Sequence, residues 1–131
     1  MKNNKENYSI LVVDDQDQNR RILKNIISHA GYKVADCASG PEALNLLNVN
    51  KYDVVVIDYN MPEMNGPQTV KNIRKIKGSE AIKIIMVTAT NDSESVKKAI
   101  KAGIQGYILK PIKIYEVLSK LSAILQIKET V

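Results

Sequence analysis

Short apolar runs alternate along the chain with longer segments in which apolar residues recur three and four positions apart. This pair of patterns occurs five times and predicts five strands, each followed by a helix. Three of the runs are rich in valine, isoleucine and leucine without polar alternation, which is typical of parallel strands covered on both faces. The strands are predicted at residues 10–14, 33–38, 54–58, 82–88 and 106–110.

Residues that start and stop helices fall between the apolar runs. Ser39 and Glu42 form a capping-box pattern, in which Glu42 reaches back to Ser39 at the start of the second helix. The other predicted helix ends are Gly31 after the first helix, Gly66–Pro67 opening the third, Asp92 or Ser93 opening the fourth, and Gly103 closing it. The first and last helices carry strong apolar stripes, so each is expected to cover one face of the sheet.

Five strand–helix units in so short a chain predict an α/β fold, a doubly wound (βα)5 three-layer sandwich around a five-stranded parallel sheet. No segment remains for a second domain. Residues 1–8 are interpreted as a polar lead-in, residues 9–127 as the domain and residues 128–131 as a tail. In such sheets ligands bind at the carboxyl ends of the strands, where the strand order reverses.

Composition and charge exclude several classes of protein. The chain has 131 residues, of which 44% are hydrophobic and 25% charged, as in an ordinary soluble globular domain. It has no apolar run of about 18 residues that would suggest a membrane span, and its start, MKNNKENYS, lacks the apolar segment of a signal peptide. Together with a single cysteine, Cys37, this predicts a cytoplasmic protein.

The net charge of +5 invites a nucleic-acid interpretation. The lysines and arginines are, however, scattered over predicted helices, and the chain contains no Phe and no Trp to stack on bases. No helix-turn-helix segment remains outside the five strand–helix units. We therefore expect solvated helix faces and no direct binding of nucleic acid.

Three carboxylates, a hydroxyl and an ammonium group lie at the predicted strand ends: Asp14, Asp15, Asp58, Thr88 and Lys110. If the first and third strands are neighbours, the carboxylates come close together, and each pair about 4 Å apart repels by roughly 4 kcal/mol at an effective dielectric constant near 20. Such a cluster raises a pKa or holds a cation, and oxygen ligands favour Mg²⁺. With the lysine nearby, the set indicates phosphoryl transfer to an aspartate.

Other reactive arrangements are missing from the sequence. It contains neither GxxxxGK[ST] nor GxGxxG, so ATP is not expected to be a direct substrate. The only histidine, His29, falls late in the first helix, which is typical of a helix C-terminal residue and not of a catalytic triad.

Four segments together resemble the receiver domains of two-component response regulators, over residues 9–127. They are VVDD at 12–15, DYNMPEMNG at 58–66, VTA at 87–89 and GYILKP at 106–111. The chemotaxis member of this family is a known example of the strand order 2-1-3-4-5, so the resemblance implies that order here.

The resemblance implies a role for each residue at the strand ends. Asp58 would accept a phosphoryl group from a phosphohistidine of a histidine kinase or a phosphotransfer protein. Asp15 and Asp58 would bind Mg²⁺, or Mn²⁺ as a substitute, through their side chains, Asn60 would bind it through its backbone carbonyl, and Asp14 would support them. Asn60 and Thr90 would influence how long the phosphoryl group lasts.

The resemblance also implies a switch. Thr88 and Lys110 would contact the phosphoryl group. As Thr88 moves toward that group, Tyr107 would turn inward into the space vacated near it. The Lys110–Pro111 peptide bond is expected to be cis. The moving surface would alter binding to a downstream protein, and phosphorylation-dependent homodimerisation through the fourth helix, fifth strand and fifth helix is a further expectation.

Some positions depart from the family pattern, and other functions remain open. Asn65 stands where an acid is common, Ile104 where alanine is usual, and Lys113 gives the last helix a poor start. The chain would alternatively be a receiver excised from a hybrid histidine kinase. A phosphatase of the haloacid dehalogenase type is less favoured, because that class needs an acid two residues after the nucleophile, where this sequence has Asn60.

Overall fold

A computed structural model describes residues 4–127 of the chain. The described residues form an α/β fold in which five strands and five helices alternate. The strands are β1 (Ser9–Val13), β2 (Lys33–Cys37), β3 (Val54–Asp58), β4 (Lys83–Thr88) and β5 (Gly106–Leu109). The helices are α1 (Asp17–His29), α2 (Gly40–Val49), α3 (Gly66–Arg74), α4 (Ser93–Ala102) and α5 (Ile114–Leu125), and short 3-10 turns occur at Lys5–Asn7 and Ser79–Ala81.

All five strands are parallel and lie in the order β2-β1-β3-β4-β5, which confirms the predicted order. The strand order reverses between β1 and β3, which are hydrogen-bonded neighbours with Val13 opposite Ile57. The carboxyl ends of β1, β3 and β4 therefore meet at one edge of the sheet, where the polar residues of the sequence were expected to converge.

The strand bounds differ from the prediction by one residue at several ends, for physical reasons. β1 ends at Val13 because the carbonyl of Asp14 accepts a hydrogen bond from Arg20 Nη1 (2.9 Å) instead of a strand partner. β4 starts at Lys83 because the Ile82 N–H closes the preceding 3-10 turn onto the Ser79 carbonyl. β5 ends at Leu109, two residues before a proline that has no N–H to donate.

Alternate residues of the strands face two separate cores. Leu11, Val55 and Met86 belong to a core shared with α2, α3 and α4, whereas Val12 and Val56 point to a core shared with α1 and α5. Every residue of β3 is buried, as expected for the middle of a sheet covered on both sides. This arrangement is the predicted three-layer sandwich. No helix within residues 4–127 combines the length and the apolarity needed to cross a bilayer.

The helix ends largely follow the predicted signals. Gly31 and Gly103 adopt φ of +109° and +113°, and Asp92 Oδ1 caps α4 by accepting from the Ser95 N–H. Ser39 caps α2, but Glu42 Oε2 accepts from the Ala38 N–H and not from Ser39, so the predicted capping box is only half formed.

Three further helix ends can be compared with the predictions from the sequence. Asn65, which replaces an acid, forms a complete capping box with Gln68 at the start of α3. Lys113 makes no side-chain cap at α5, in line with the predicted poor start. His29 is the exposed last residue of α1, as predicted.

The two ends of the chain bear on the expected domain limits. Residues 4–8 include the first 3-10 turn, and Tyr8 is partly buried against the core that α1 and α5 share. The predicted tail, residues 128–131, and the first three residues of the lead-in lie outside the described residues.

Candidate functional site

Three carboxyl groups lie together at the carboxyl edge of the sheet. One oxygen from each of Asp14, Asp15 and Asp58 lies within 4.8 Å of the others. Asp14 and Asp15 follow β1, and Asp58 ends β3, so the pairing of these two strands brings them together. Asp14 and Asp58 are buried, and Asp15 is the most accessible of the three.

Asp14 is fully buried, and only one of its two carboxylate oxygens has a hydrogen-bond partner in the described residues. Its Oδ1 accepts a hydrogen bond of 2.9 Å from the Gln16 N–H, which turns the chain from β1 into α1. Its Oδ2 is buried and has no partner within the described part of the chain. Burial is the main cause that raises the pKa of Asp14, and the neighbouring charge of Asp58 raises it further.

Asp58 is 4% exposed and has one cation beside it. Lys110 Nζ lies 2.8 Å from Asp58 Oδ1. The contact pairs the buried carboxylate with an ammonium group. Burial raises the pKa of Asp58, the charge of Lys110 opposes that rise, and the charge of Asp15 adds to it.

The donor set suits a small, hard divalent cation. The buried Asp14 Oδ2 has no partner among residues 4–127, Asp58 Oδ1 is paired with Lys110, and the carboxylate of Asp15 is close by. At 4.8 Å two unit charges repel by about 3.5 kcal/mol at an effective dielectric constant near 20, and a cation between them would reverse that term. All-oxygen ligation with one more accessible side is the arrangement that Mg²⁺ uses when it keeps some of its waters. The residues present therefore fit Mg²⁺.

Thr88 ends β4 next to this cluster and is 2% exposed. Its Oγ1 accepts a hydrogen bond of 3.2 Å from the Thr90 N–H, and Thr90 Oγ1 donates to Asp92 Oδ2 at 2.8 Å. The hydroxyl of Thr88 is thus engaged with the connection between β4 and α4.

Residues of β5 and the turn after it border the same edge. Tyr107 pairs with Met86 across the sheet and is half-buried. The Lys110–Pro111 peptide bond is cis. The Lys110 N–H donates to the Thr88 carbonyl at 2.8 Å, so the backbone of Lys110 is held to β4 while its ammonium group reaches Asp58.

The connection from β3 to α3 contains Asn60, which is exposed two residues after Asp58. Gly66 closes the connection, because its N–H donates to the Tyr59 carbonyl at 2.7 Å. A Cβ at Gly66 would lie 2.7 Å from the Asp58 carbonyl oxygen, so only glycine fits against the end of β3.

Arg20 also contacts the site, although the sequence pattern did not indicate it. Its Nη1 donates to the Asp14 carbonyl, and its other nitrogens contact Asp17 and Asp36. The spacing of Asp17 and Arg20 along α1 signals an ion pair, but nothing in the sequence connects Arg20 with the end of β1.

Comparison with known proteins identifies the family. Residues 10–122 match the family model described as response regulator receiver domain. The chain is 42% identical over 118 residues to a chemotaxis protein CheY homolog of Campylobacter jejuni, covering 88% of this chain and 91% of that protein. It is 41% identical to chemotaxis protein CheY1 of Helicobacter pylori, covering 88% and 95%.

Solved structures agree with these relatives. The fold is similar to that of chemotaxis protein CheY4 of Vibrio cholerae, with a TM-score of 0.86 and 30% identity over 89% of this chain and 98% of that one. A putative response regulator from Chloroflexus aurantiacus matches with the same TM-score and identity over 91% and 98%. The chain therefore belongs to the response regulator receiver domains, a family of signalling domains.

Proposed function

We propose that this receiver domain is a phospho-accepting switch, in which Asp58 takes a phosphoryl group from a phosphohistidine in a Mg²⁺-dependent reaction. The donor would be a histidine kinase or a histidine phosphotransfer protein. One observation carries the proposal: the buried Asp58 lies within 4.8 Å of two further carboxylates and 2.8 Å from Lys110. The three carboxylates repel one another, and a bound cation or phosphorylation of Asp58 would make use of that arrangement.

In the proposed step a carboxylate oxygen of Asp58 forms a bond to phosphorus. The phosphorus–nitrogen bond of the phosphohistidine breaks, and its electron pair returns to the imidazole nitrogen of the donor. Lys110 would stabilise the negative charge on the phosphoryl oxygens, and the Thr88 hydroxyl would donate a hydrogen bond to one of them. The raised pKa of Asp58 reflects the same lack of solvent that strengthens these interactions.

The metal would be held by the carboxylates of Asp14, Asp15 and Asp58 and by the backbone carbonyl of Asn60. Bound Mg²⁺ would supply positive charge at the phosphoryl oxygens, and Mn²⁺ would fit the same oxygen ligands. The buried Asp14 Oδ2, which has no partner in the described part of the chain, supports this assignment. Asn60 and Thr90 flank the site and would tune how fast water removes the phosphoryl group.

The readout of the switch would begin at Thr88. When its hydroxyl turns to the phosphoryl group, its hydrogen bond from the Thr90 N–H is lost, and Tyr107 would turn further inward. These changes would reach the face formed by α4, β5 and α5. That face carries exposed Ile100, Ile114 and Tyr115 and would contact a downstream protein or a second copy of the chain.

The proposal is tested by incubating the protein with acetyl phosphate, with and without Mg²⁺, and measuring intact masses. Wild type is expected to gain one phosphoryl group only when Mg²⁺ is present. Asp58→Asn is expected to gain none. Glu63→Gln serves as the matched control, because it removes an exposed acid from the same connection and should leave phosphorylation unchanged.

Two results would contradict the proposal. Phosphorylation of Asp58→Asn at the wild-type rate would place the acceptor elsewhere. Absence of phosphorylation in wild type, together with no binding of beryllofluoride in the presence of Mg²⁺, would mean that the carboxylate cluster is not a phosphoryl acceptor.

A further inference from the structure

The Arg20 side chain joins three parts of the chain beside the carboxylate cluster. Nη1 donates to the Asp14 carbonyl at 2.9 Å, Nε donates to Asp36 Oδ2 at 2.8 Å, and Nη2 donates to Asp17 Oδ1 at 2.6 Å. The side chain is only 18% exposed. Arg20 therefore ties the end of β1 to β2 and to the first turn of α1.

These contacts complete the support of the Asp14 backbone. The Asp14 N–H donates to the Cys37 carbonyl of β2 at 3.2 Å, and its carbonyl accepts from Arg20. The Gln16 N–H then donates to the Asp14 carboxylate. Both peptide groups and the side chain of Asp14 are thus fixed, and the direction in which Asp15 leaves β1 follows from them.

An arginine is suited to this place because its planar guanidinium donates in several fixed directions at once. Asp36 orients the group through Nε, and Lys24 Nζ holds the other oxygen of Asp36 at 3.1 Å. Lys24 pairs with Asp36 but makes no hydrogen bond or ion pair with the β1–α1 connection in the described residues. It therefore offers a control that differs from Arg20 in this one respect.

We propose that Arg20 is a positioning residue that sets the affinity of the site for Mg²⁺ by holding the Asp14 carbonyl and thereby the connection 14–16. The inference rests on the proposed function, because it assigns the metal to Asp14, Asp15 and Asp58. Groups that orient metal ligands in this way typically change metal affinity by about 10- to 100-fold when they are removed.

The sign of the effect separates positioning from simple electrostatics. Arg20→Gln removes a positive charge near a cation site, so charge alone would make Mg²⁺ bind more tightly. Loss of positioning would make it bind more weakly. Lys24→Gln removes the same charge from the same network without touching the Asp14 carbonyl. The two variants together therefore isolate the contact with the backbone.

The experiment measures the Mg²⁺ dissociation constant by isothermal titration calorimetry of the full chain, and the phosphorylation rate with acetyl phosphate as Mg²⁺ is varied. For Arg20→Gln we expect the dissociation constant to rise about 10-fold. At saturating Mg²⁺ its phosphorylation rate should return to within about twofold of wild type. Lys24→Gln should keep the wild-type dissociation constant or lower it slightly.

A readout without metal tests the same idea. In a chelator, hydrogen exchange of the Gln16 amide, which donates to the Asp14 carboxylate, should be faster in Arg20→Gln than in wild type, and unchanged in Lys24→Gln. If Arg20→Gln does not fold, Arg20→Lys replaces it. Lysine keeps the charge but lacks the planar guanidinium group. The Mg²⁺ dissociation constant of Arg20→Lys should therefore also rise, by a smaller factor.

The inference fails if the Arg20 variant folds and binds Mg²⁺ as tightly as wild type or more tightly. It also fails if Lys24→Gln weakens binding to the same extent, because the effect would then belong to the charge network and not to the Asp14 carbonyl. Failure of wild type itself to bind Mg²⁺ would instead refute the proposed function. The two outcomes are therefore distinguishable.

Discussion

Replacing Asp14 by asparagine should stabilise the protein when no divalent cation is present. Asp14 is fully buried, its Oδ2 has no partner among residues 4–127, and its charge repels Asp58. Asparagine has nearly the same shape, and its carbonyl oxygen can keep the hydrogen bond from the Gln16 N–H. Its amino group can donate to Asp58, so the variant exchanges a repulsive contact for an attractive one.

The size of the effect follows from the geometry. The carboxylate oxygens lie within 4.8 Å of one another, and at that limit the repulsion between two unit charges is about 3.5 kcal/mol at an effective dielectric constant near 20. Lys110, 2.8 Å from Asp58, offsets part of this, and partial protonation of the cluster limits it further. We therefore expect the free energy of unfolding to rise by about 1.5 kcal/mol, well above the effect of an ordinary surface substitution.

The assay is urea unfolding in the presence of a chelator, at about pH 7.5 and at about pH 4. The folded state raises the pKa of Asp14 above its ordinary value near 3.9, so wild type is penalised at high pH. The penalty disappears as the pH falls below that ordinary value, where both folded and unfolded states are protonated. The advantage of Asp14→Asn should therefore be largest at about pH 7.5 and should shrink toward about pH 4.

The reasoning would be refuted if Asp14→Asn were no more stable than wild type in chelator at the higher pH, or if its advantage persisted unchanged at the lower pH. Asp53→Asn is the control, since Asp53 accepts a hydrogen bond of 2.8 Å from the Ser9 N–H and lies outside the carboxylate cluster. It should not stabilise. Mg²⁺ at about 20 times its dissociation constant should add about 1.8 kcal/mol to wild type and less to Asp14→Asn.

Two further predictions concern backbone fit and thiol reactivity. Gly66→Ala should lower the free energy of unfolding by about 2 kcal/mol or more, because a Cβ would meet the Asp58 carbonyl and Tyr59 Cα at 2.7 and 2.9 Å; a melting curve like that of wild type would contradict this. Burial raises the pKa of the Cys37 thiol to about 11, so iodoacetamide should modify it at neutral pH more than about 100-fold more slowly in the folded than in the urea-unfolded protein, measured by mass spectrometry. Equal rates would show that the thiol is accessible.

The sequence predicted the sheet well because its strands are specified by local pattern. The first four residues of β3 are apolar and the fifth is Asp58, and the structure has the strand at the predicted bounds. The ends of other strands were less predictable, because they depend on contacts from elsewhere in the chain. The end of β1 is decided by Arg20 on α1, and the start of β4 by a 3-10 turn that the periodicity does not reveal.

The convergence of the three carboxylates could be predicted from the sequence, but the contacts that hold them in place could not. Acids at the ends of β1 and β3 must converge once the two strands pair, whatever the details of the side chains. The hydrogen bonds and ion pairs of these acids depend on tertiary packing. Packing decides that Asp14 Oδ1 accepts from the Gln16 N–H and that Lys110 pairs with Asp58. For the same reason the contact between Arg20 and the Asp14 carbonyl leaves no mark in the spacing of the sequence.

The carboxylate cluster links the stability of the domain to its proposed chemistry. The buried Asp14 Oδ2, which has no partner among residues 4–127, is unfavourable in the folded state, and burial of the apolar core offsets that cost. If that oxygen received a hydrogen bond from the protein, the domain would be more stable, but the carboxylate would lose capacity to bind a cation. If Asp14→Asn both stabilises the chain and weakens Mg²⁺ binding, the repulsion among the carboxylates at the strand ends underlies both properties.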